Sequence, residues 1–239
     1  MQIKSLIQNY YWELRYRYRK WIWDRASYNS IINGVALMYH HVTDEHVDTN
    51  DSCRCTVSEF KNAILQTKAE GRSFVSVEKM LDIIKTKSRE KFAVLTFDDV
   101  PNNFYTNAYP FLKEENIPFI LFITIDFINK VGFLTKEQLL ELDRDSLCTI
   151  GAHTVSHPML RNTTNSMCEL IESKNKLEKL LGHSVDYMAY PFGRQSSVSR
   201  RVMSEAEKSG YRCAFGTIQS LLSDESTKNL FYIPRMIKK

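Results

Sequence analysis

Short apolar segments alternate with helical patterns from about residue 31 onward, and this alternation constrains the fold more than any other feature. The apolar segments cover 35–39, 92–97, 118–124, 148–151, 186–190 and 211–215. Capping signals predict helices over about 56–71, 76–85, 103–115, 165–181 and 198–210, with another that starts at Thr135. Repeated βα units predict a mostly parallel sheet covered by helices on both faces, either open or closed into a barrel.

Composition and charge narrow the class of protein. Of the 239 residues, 43% are hydrophobic and 25% are charged, so the chain can bury one sizeable core. The net charge of +4 is too small for a broad basic surface, and we expect no nucleic-acid partner. The amino terminus lacks the long apolar segment of a secretory signal, and the densest apolar run, 117–125, is too short to span a bilayer. The expected location is the cytoplasm.

The first 25 residues differ from the rest of the chain in aromatic content and charge. They contain all three tryptophans, and six basic residues against two acidic ones, which equals the net charge of the whole chain. At 100° per residue, one narrow stripe of a helix carries Ile3, Ile7, Tyr10, Leu14, Tyr18 and Trp21, while Trp12, Arg19 and Trp23 point the other way. The pattern predicts an amphipathic helix, so we divide the chain into an appendage over 1–30 and a main domain over 31–239.

Several interpretations of this helix stay open. In the first, the stripe packs on the domain and the opposite side is solvated. In the second, residues 1–25 lie on an anionic membrane, with aromatic and arginine side chains at the level of the lipid headgroups, which makes the protein peripheral at the inner membrane surface. In the third, the helix contacts a partner protein.

Carboxylates and imidazoles follow the ends of the predicted strands. These residues are Asp98 and Asp99 after the second strand, His153 and His157 after the fourth, His40 and His41 after the first, and Tyr190, Pro191 and Phe192 at the end of the fifth. In parallel α/β architectures the carboxyl ends of the strands meet at one open rim, so we expect these residues near one another.

This set of side chains matches a catalytic metal site. Two imidazoles four residues apart can face one point, and a carboxylate from another strand end completes three ligands and leaves a position for water. Zn(II) suits such ligands best, although Co(II) and Ni(II) also fit them. The adjacent Asp98 and Asp99 indicate that one binds the metal while its neighbour acts as a base. Taken alone, an Asp pair is more often a helix cap or a turn, and an HxxxH pattern is more often structural.

At these positions the sequence resembles the polysaccharide deacetylases, carbohydrate esterases that include chitin and peptidoglycan N-deacetylases. The three motifs of that family are matched, in order, by Leu95-Thr-Phe-Asp-Asp99, His153-Thr-Val-Ser-His157-Pro158 and Ala189-Tyr-Pro-Phe-Gly193. The opening Leu37-Met-Tyr-His-His-Val42 is similar to the N-terminal signature of the permuted branch that acts on poly-N-acetylglucosamine. The resemblance covers about residues 31–239, which would be the catalytic domain.

The resemblance implies an α/β fold of the distorted (β/α) barrel type, to which the N-terminal amphipathic helix is added. It also implies a divalent metal held by Asp99, His153 and His157. In this family pattern Asp98 is the general base and His40 is the acid that protonates the leaving amine.

The third motif is implied to line the substrate. The backbone N–H of Phe192 would stabilise the oxyanion, with Tyr190 and Pro191 beside it. The arginine that often precedes this motif and orients the base is absent, and Arg235 in Ile233-Pro-Arg235 is the candidate substitute.

Two further positions depart from the family pattern. Val100-Pro101 replaces the glycine that usually follows the Asp pair, next to the base. His41 stands where an aspartate often follows the acid histidine, so either His40 or His41 could be the proton donor.

The implied reaction is metal-dependent hydrolysis of an N-acetyl group from an amino sugar, which releases acetate and leaves a free amine. For a cytoplasmic protein, the expected substrate is an N-acetylated saccharide such as a sugar nucleotide, or a lipid-linked glycan precursor. Three other functions stay open. One is hydrolysis of a non-sugar amide by the same fold and metal, and another is a glycan-binding module that has lost turnover. The third is a membrane scaffold that acts through the N-terminal helix alone, which leaves the metal-site pattern unexplained.

Overall fold

The computed structural model describes residues 2–44 and 54–239. Within these ranges the strands are β1 Asn33–Tyr39, β2 Ser73–Phe74, β3 Lys91–Asp98, β4 Phe119–Ile123, β5 Cys148–Ala152, β6 Tyr187–Ala189 and β7 Cys213–Phe215. The helices are α1 Gln2–Ser27, α2 Val57–Ala69, α3 Val77–Thr86, α4 Tyr109–Glu114, α5 Lys136–Asp143, α6 Ser166–Leu181 and α7 Arg200–Lys208.

The strands form one parallel sheet in the order β1-β3-β4-β5-β6-β7, and β2 pairs with the first part of β3. The predicted α/β class and the parallel sheet are confirmed, and each of the six predicted strands is present within a few residues of its expected bounds. The short β2 was not predicted, because two residues carry no detectable periodicity.

Residues 233–236 join the two edges of this sheet. Ile233 forms a parallel bridge with Phe215 of β7, and Met236 forms one with Leu37 of β1. Backbone hydrogen bonds of 2.7 to 2.9 Å hold the segment on both sides. The sheet is thereby curled into the expected distorted barrel, and Arg235 lies between the two bridges.

Successive residues of β3 belong to two different cores, as alternation along a strand requires. Phe92 and Val94 lie in a cluster to which α3 also contributes. Ala93 and Leu95 lie in the larger cluster that includes residues of the other helices. Because both faces of the sheet are buried, β3 and β4 appear in the sequence as almost continuous apolar runs.

The predicted helix starts are confirmed where capping signals mark them. Thr56 and Thr135 form capping boxes with Glu59 and Gln138. Helix α6 ends at Gly182, whose φ of 81° is the left-handed conformation that glycine adopts without strain.

The helix predicted from about residue 103 begins as a π-helical turn over Phe104–Ala108, in which Tyr109 N–H donates to Phe104 O. Pro110 follows in the first turn of α4. Because proline has no N–H to donate to the carbonyl four residues earlier, the turn before it widens.

Helix α1 is present as predicted, but it packs on the domain with the side opposite to the predicted stripe. Trp23 is buried against Tyr232, and Tyr16 Oη accepts a hydrogen bond from Gln219 N at 3.3 Å. By contrast, the stripe residues are 47% to 68% exposed, namely Ile7, Tyr10, Leu14, Tyr18 and Trp21. The side chain of Ile3 lies outside the described part of the structure.

The interpretation in which the stripe packs on the domain is therefore wrong. The packed side buries aromatic rings together with a cation, since Arg19 lies over the rings of Trp23 and Tyr232 at 5.6 and 5.8 Å. A helix face that mixes aromatic rings with a cation does not appear as an apolar stripe when apolar residues are placed at 100° per residue.

Candidate active site

Three side chains that could hold a metal ion meet at the carboxyl ends of β3 and β5. Asp99 directly follows β3, and His153 and His157 lie in the loop after β5. Asp99 Oδ1 is 3.9 Å from His153 Nε2 and 3.6 Å from His157 Nε2. Ligand atoms of the three residues all lie within 4.8 Å of one another. The structure thus brings together the three side chains that the sequence pattern indicated as ligands.

The loops at this rim have an unusual backbone. Asp99, Val100, His157 and Phe192 have φ values of 58°, 48°, 60° and 62°. Positive φ is uncommon outside glycine and strained for a β-branched residue such as valine. Val100 therefore adopts the left-handed conformation in which a glycine would be unstrained, and the replacement leaves both carboxylates at the rim.

Hydrogen bonding orients one imidazole, and burial keeps the other one neutral. His153 Nδ1 contacts Ala189 O at 2.8 Å, and because a carbonyl can only accept, Nδ1 donates this hydrogen bond and Nε2 is the nitrogen that faces Asp99. Burial, followed by the charge of His153, lowers the pKa of His157 to about 4, so this imidazole is neutral at pH 7.

The donor set fits a divalent cation. Ligand atoms bound to zinc at about 2.0–2.2 Å in a tetrahedral site lie about 3.4 Å from one another. The observed separations of 3.6 and 3.9 Å require only small side-chain adjustments. Asp99, His153 and His157 would hold the ion and leave a further position for water or substrate.

The carboxylate of Asp98, at the end of β3, is buried beside this site and held by Arg235. The two guanidinium nitrogens Nη1 and Nη2 donate to Oδ1 and Oδ2 at 2.6 and 2.7 Å. Burial by itself would raise the pKa of Asp98, but the charges of Arg235 and His153 and a hydrogen bond from His40 lower it below its ordinary value. The carboxylate is therefore ionised at neutral pH, the state that can accept a proton.

The two adjacent histidines after β1 face different neighbours. His40 Nε2 lies 3.7 Å from Asp98 Oδ2. His41 Nδ1 lies 2.9 Å from Asn103 Nδ2, and Asn103 Oδ1 accepts a hydrogen bond from Val42 N. Of the two histidines, His40 faces Asp98 and His41 faces Asn103.

The third motif contributes one exposed side chain and a buried support. Phe192 is 53% exposed, and its ring lies 4.9 Å from that of His157. Tyr190 and Pro191 are buried, and Tyr190 Oη donates to Phe231 O at 2.9 Å. The sequence led us to expect Tyr190 and Pro191 beside the substrate, and in the structure their side chains are buried under the loop. Arg235, the candidate for the arginine that orients the base, is fully buried and contacts Asp98.

Aromatic side chains surround the exposed edge of the metal site. The ring of Phe127 lies 5.9 Å from that of His157 and 4.6 Å from that of Phe133. Together with Phe192, these rings form an apolar rim beside the metal ligands.

Two residues that orient the ligands were missed in the sequence. Thr124, just after β4, donates from Oγ1 to Asp99 Oδ1 at 3.0 Å. Glu169 of α6 accepts hydrogen bonds from the N–H groups of Val155 and Ser156 at 2.9 and 3.0 Å, within the loop between the two histidines. Neither residue belongs to a motif, and a sequence alone gives no signal that would find them.

The polysaccharide deacetylase family model matches residues 85–214, which is more than half of the chain and includes the three motifs. The chain belongs to the polysaccharide deacetylase family. The resemblance stated from the motifs is confirmed.

Named deacetylases are similar to this chain along most of its length. The poly-beta-1,6-N-acetyl-D-glucosamine N-deacetylase of Staphylococcus aureus (strain MSSA476) is 27% identical over 232 residues, which cover 86% of this chain and 78% of that protein. The structure of a polysaccharide deacetylase from Bacillus cereus matches 87% of this chain with a TM-score of 0.76 and 26% identity. The deacetylase PplD of Streptococcus pyogenes, in complex with acetate, matches 86% of this chain and 92% of its own, with a TM-score of 0.75 and 25% identity.

Some relatives are longer than this chain. The chain spans 63% of YxkH of Bacillus subtilis (strain 168), to which it is 27% identical over 185 residues. It spans 65% of the Bacillus cereus protein.

Proposed function

We propose that this deacetylase removes N-acetyl groups from amino sugars by metal-dependent hydrolysis, which releases acetate and leaves a free amine. The observation that carries the proposal is an ionised, arginine-held carboxylate, Asp98, directly beside the ligand set of Asp99, His153 and His157. The Staphylococcus aureus relative is named for N-deacetylation of an N-acetylglucosamine polymer, and the PplD structure contains acetate, the acid that such a reaction releases.

Each residue of the site has its own role in the proposed reaction. Asp99, His153 and His157 would hold the cation, proposed to be Zn(II) with Co(II) or Ni(II) as substitutes, which when bound would polarise the acetamide carbonyl and lower the pKa of water to about 7. Asp98 accepts the proton of the attacking water, and Arg235 keeps its carboxylate in place. His40 donates a proton to the departing amine, which would otherwise be a poor leaving group. The N–H of Phe192 hydrogen-bonds the oxyanion, an interaction worth about 3 kcal/mol.

The aromatic rim supports a sugar as the substrate. Flat aromatic surfaces pack well against the apolar face of a ring-shaped ligand, and few polar groups are then needed to fix its orientation. Phe192 is exposed and Phe127 is half-buried beside His157, so a saccharide whose acetamide reaches the metal can rest on these rings.

The catalytic proposal is tested by measuring metal content and acetate release together. We expect H153A and H157A to lose most of the bound metal. We expect D98N to keep the metal while acetate release from N-acetylglucosamine oligomers falls by about 100-fold or more, because a positioned base is lost. D82N, which removes an exposed carboxylate of α3, is the matched control and should retain both.

Other outcomes would favour the remaining functions. Metal binding with hydrolysis of non-sugar amides and no acetate from any saccharide would favour an amidase of the same fold. Saccharide binding by the metal-loaded protein without acetate release would favour a glycan-binding module. A D98N variant with normal activity would refute the role of Asp98 as the base.

We also propose that the exposed stripe of α1 lies on an anionic membrane. Its apolar side chains are unusually exposed, for example Ile7 at 65% and Trp21 at 56%, and the arginines Arg17 and Arg25 on the same helix are exposed as well. Among the described helices, none combines the length and apolarity needed to cross a bilayer. A helix of this composition can adsorb at the interface, with about 1 kcal/mol from each basic residue near the surface.

Adsorption would bring the active site to lipid-linked glycan precursors at the inner membrane surface, and we include this cytoplasmic, biosynthetic role in the proposal. We expect I7S/L14S/W21S to lower binding to phosphatidylglycerol vesicles by about tenfold or more while soluble oligomers are still deacetylated. The control L65S/V131S removes two exposed apolar side chains elsewhere and should bind as the natural sequence does. Equal vesicle binding by both variants would refute the membrane contact.

A further inference from the structure

A cleft of about 350 Å³ lies between α1 and the segment around residues 225–232. Arg15, Arg19 and Lys228 contribute positive charges to its lining, and Glu225 contributes one carboxylate. Glu225 forms an ion pair with Lys228. The charges of the two arginines in the cleft are therefore left without a carboxylate partner there.

Arg161 adds a third guanidinium next to this cleft. It lies over the ring of Trp12 at 4.4 Å, and its Nη2 donates to Gln195 O and Val198 O at 2.7 and 2.8 Å. Its Nε is buried and has no hydrogen-bond partner. Gln195 also links the helix to this loop. With its amide oriented so that both ends find partners, its oxygen accepts from Arg19 Nε at 2.9 Å.

Arg15 and Arg161 both lie over the ring of Trp12, at 5.6 and 4.4 Å, so these guanidinium groups are close enough to repel one another. Burial is the largest cause that lowers the pKa of Arg19, and the charges of Arg15 and Arg200 lower it further. Burial and Arg15 likewise lower the pKa of Arg161. Arg201 and Arg212 have carboxylate partners in Glu205 and Glu78, but the ion pairs among the described residues do not include Arg15, Arg19 or Arg161.

We propose that this cleft binds a phosphate or diphosphate group. Clustered arginines without counter-charges are electrostatically unfavourable, and an anion between them removes the repulsion while accepting charge-assisted hydrogen bonds. The guanidinium group matches the geometry of phosphate oxygens. Arg161 stacks on Trp12, and Arg19 stacks on Trp23 and Tyr232, so the orientation of both groups is restricted before the ligand binds.

The position of the cleft indicates where such a phosphate comes from. Tyr18 lines the cleft and also belongs to the exposed stripe of α1, so the cleft opens beside the surface that we place on the membrane. A phospholipid headgroup, or the phosphate that links a glycan to its carrier, would approach from that side. Both present the same phosphate oxygens to the arginines.

The site is tested by calorimetric titration of the metal-loaded protein with inorganic pyrophosphate. We expect R15Q/R19Q to weaken binding by about tenfold or more, because two charge-assisted partners are lost. R89Q/R144Q removes two exposed arginines that lie outside α1 and should change the affinity by less than about twofold. The single variant R15Q should also weaken pyrophosphate binding. Because Arg15 is exposed, R15Q should fold and can be used if the double variant does not.

Three results would overturn the proposal. One is the absence of pyrophosphate binding to the natural sequence at millimolar concentration, and another is equal binding by R15Q/R19Q and R89Q/R144Q. The third is binding that R15Q/R19Q retains and H157A loses, which would place pyrophosphate on the metal.

A second measurement separates the two sources of phosphate. If R15Q/R19Q also binds phosphatidylglycerol vesicles more weakly and pyrophosphate competes with the vesicles, the ligand is a lipid headgroup. If only pyrophosphate binding is lost, the ligand is a free or carrier-linked phosphate. Both results support the phosphate site. Since binding is the readout, failure of this inference is distinguishable from failure of the proposed deacetylation.

Discussion

Replacing Arg235 by methionine tests whether a buried ion pair holds Asp98, the proposed base, in place. The guanidinium contacts both oxygens of Asp98 at 2.6 and 2.7 Å, and the two side chains are 0% and 4% exposed. Unit charges about 4 Å apart attract each other by about 4 kcal/mol at an effective dielectric constant of about 20. Removing one partner of such a pair costs about 3–5 kcal/mol, because the other charge is left buried alone.

The other contacts of Arg235 add to this loss. Nε donates to Gly216 O at 2.9 Å, and Nη1 donates to Thr96 Oγ1 at 3.1 Å. With about 1 kcal/mol for each of these, the free energy of unfolding of R235M should fall by about 5–7 kcal/mol in total. D98N alone should lose about 3–5 kcal/mol. The double variant R235M/D98N contains no unpaired charge, so its loss should be several kcal/mol smaller than the sum of the two.

The assay is urea unfolding at pH 7, followed by circular dichroism, in the presence of a chelator so that metal binding does not contribute to stability. R212M is the matched control, because Arg212 also makes a two-pronged contact with a carboxylate, that of Glu78, but with side chains 45% and 54% exposed. Solvent screening should limit its effect to about 1 kcal/mol. Additive losses in the double variant, or an effect of R235M no larger than that of R212M, would refute the reasoning.

Three further variants have defined outcomes. T124V removes the hydroxyl that orients the metal-facing carboxylate and should weaken metal binding by about 10- to 100-fold in a competition titration, while T124S should restore it. G193A forces alanine to a φ of 53° and places its Cβ 2.5 Å from a neighbouring side chain, so thermal unfolding should show a loss of more than about 1 kcal/mol. The Ser184 carbonyl and then Asp143 raise the pKa of His183 above its usual 6.5, so this group stabilises the fold fully below pH 6.5 and less as pH rises through the folded-state pKa. In urea unfolding, the free energy of unfolding of the natural sequence should therefore include a contribution from His183 at pH 5.5 that is smaller at pH 8.5, and H183Q should lack this contribution at both pH values.

The parts of the fold that depend on local patterns were predictable from the sequence. Continuous apolar runs located the buried strands, and side-chain capping signals such as Thr56 and Thr135 located helix starts, because these features are encoded within a few neighbouring residues. The packed side of α1 was not predictable in this way, since it depends on aromatic partners such as Tyr232 that are about 200 residues away.

In the candidate site, too, some features were predictable from the sequence and others were not. Strand ends indicated which carboxylates and imidazoles would meet, because parallel topology places the carboxyl ends together. The side chains that orient them, Thr124 and Glu169, follow a strand or lie on a helix without any recognisable motif. Arg235 was a candidate from the sequence, but its contact with Asp98 depends on where residues 233–236 cross the sheet, which no local pattern specifies.

The way in which the barrel is closed has a consequence for how the active site forms in time. Met236 bridges to Leu37, a residue 199 positions earlier, so the contact that completes the ring has one of the largest sequence separations in the chain. Contacts of this kind form slowly because a long loop must be ordered first. Asp98 meets Arg235 only when that segment is in place. After dilution from denaturant, the helical signal should therefore return before hydrolytic activity, and the delay between the two would measure the closing of the ring.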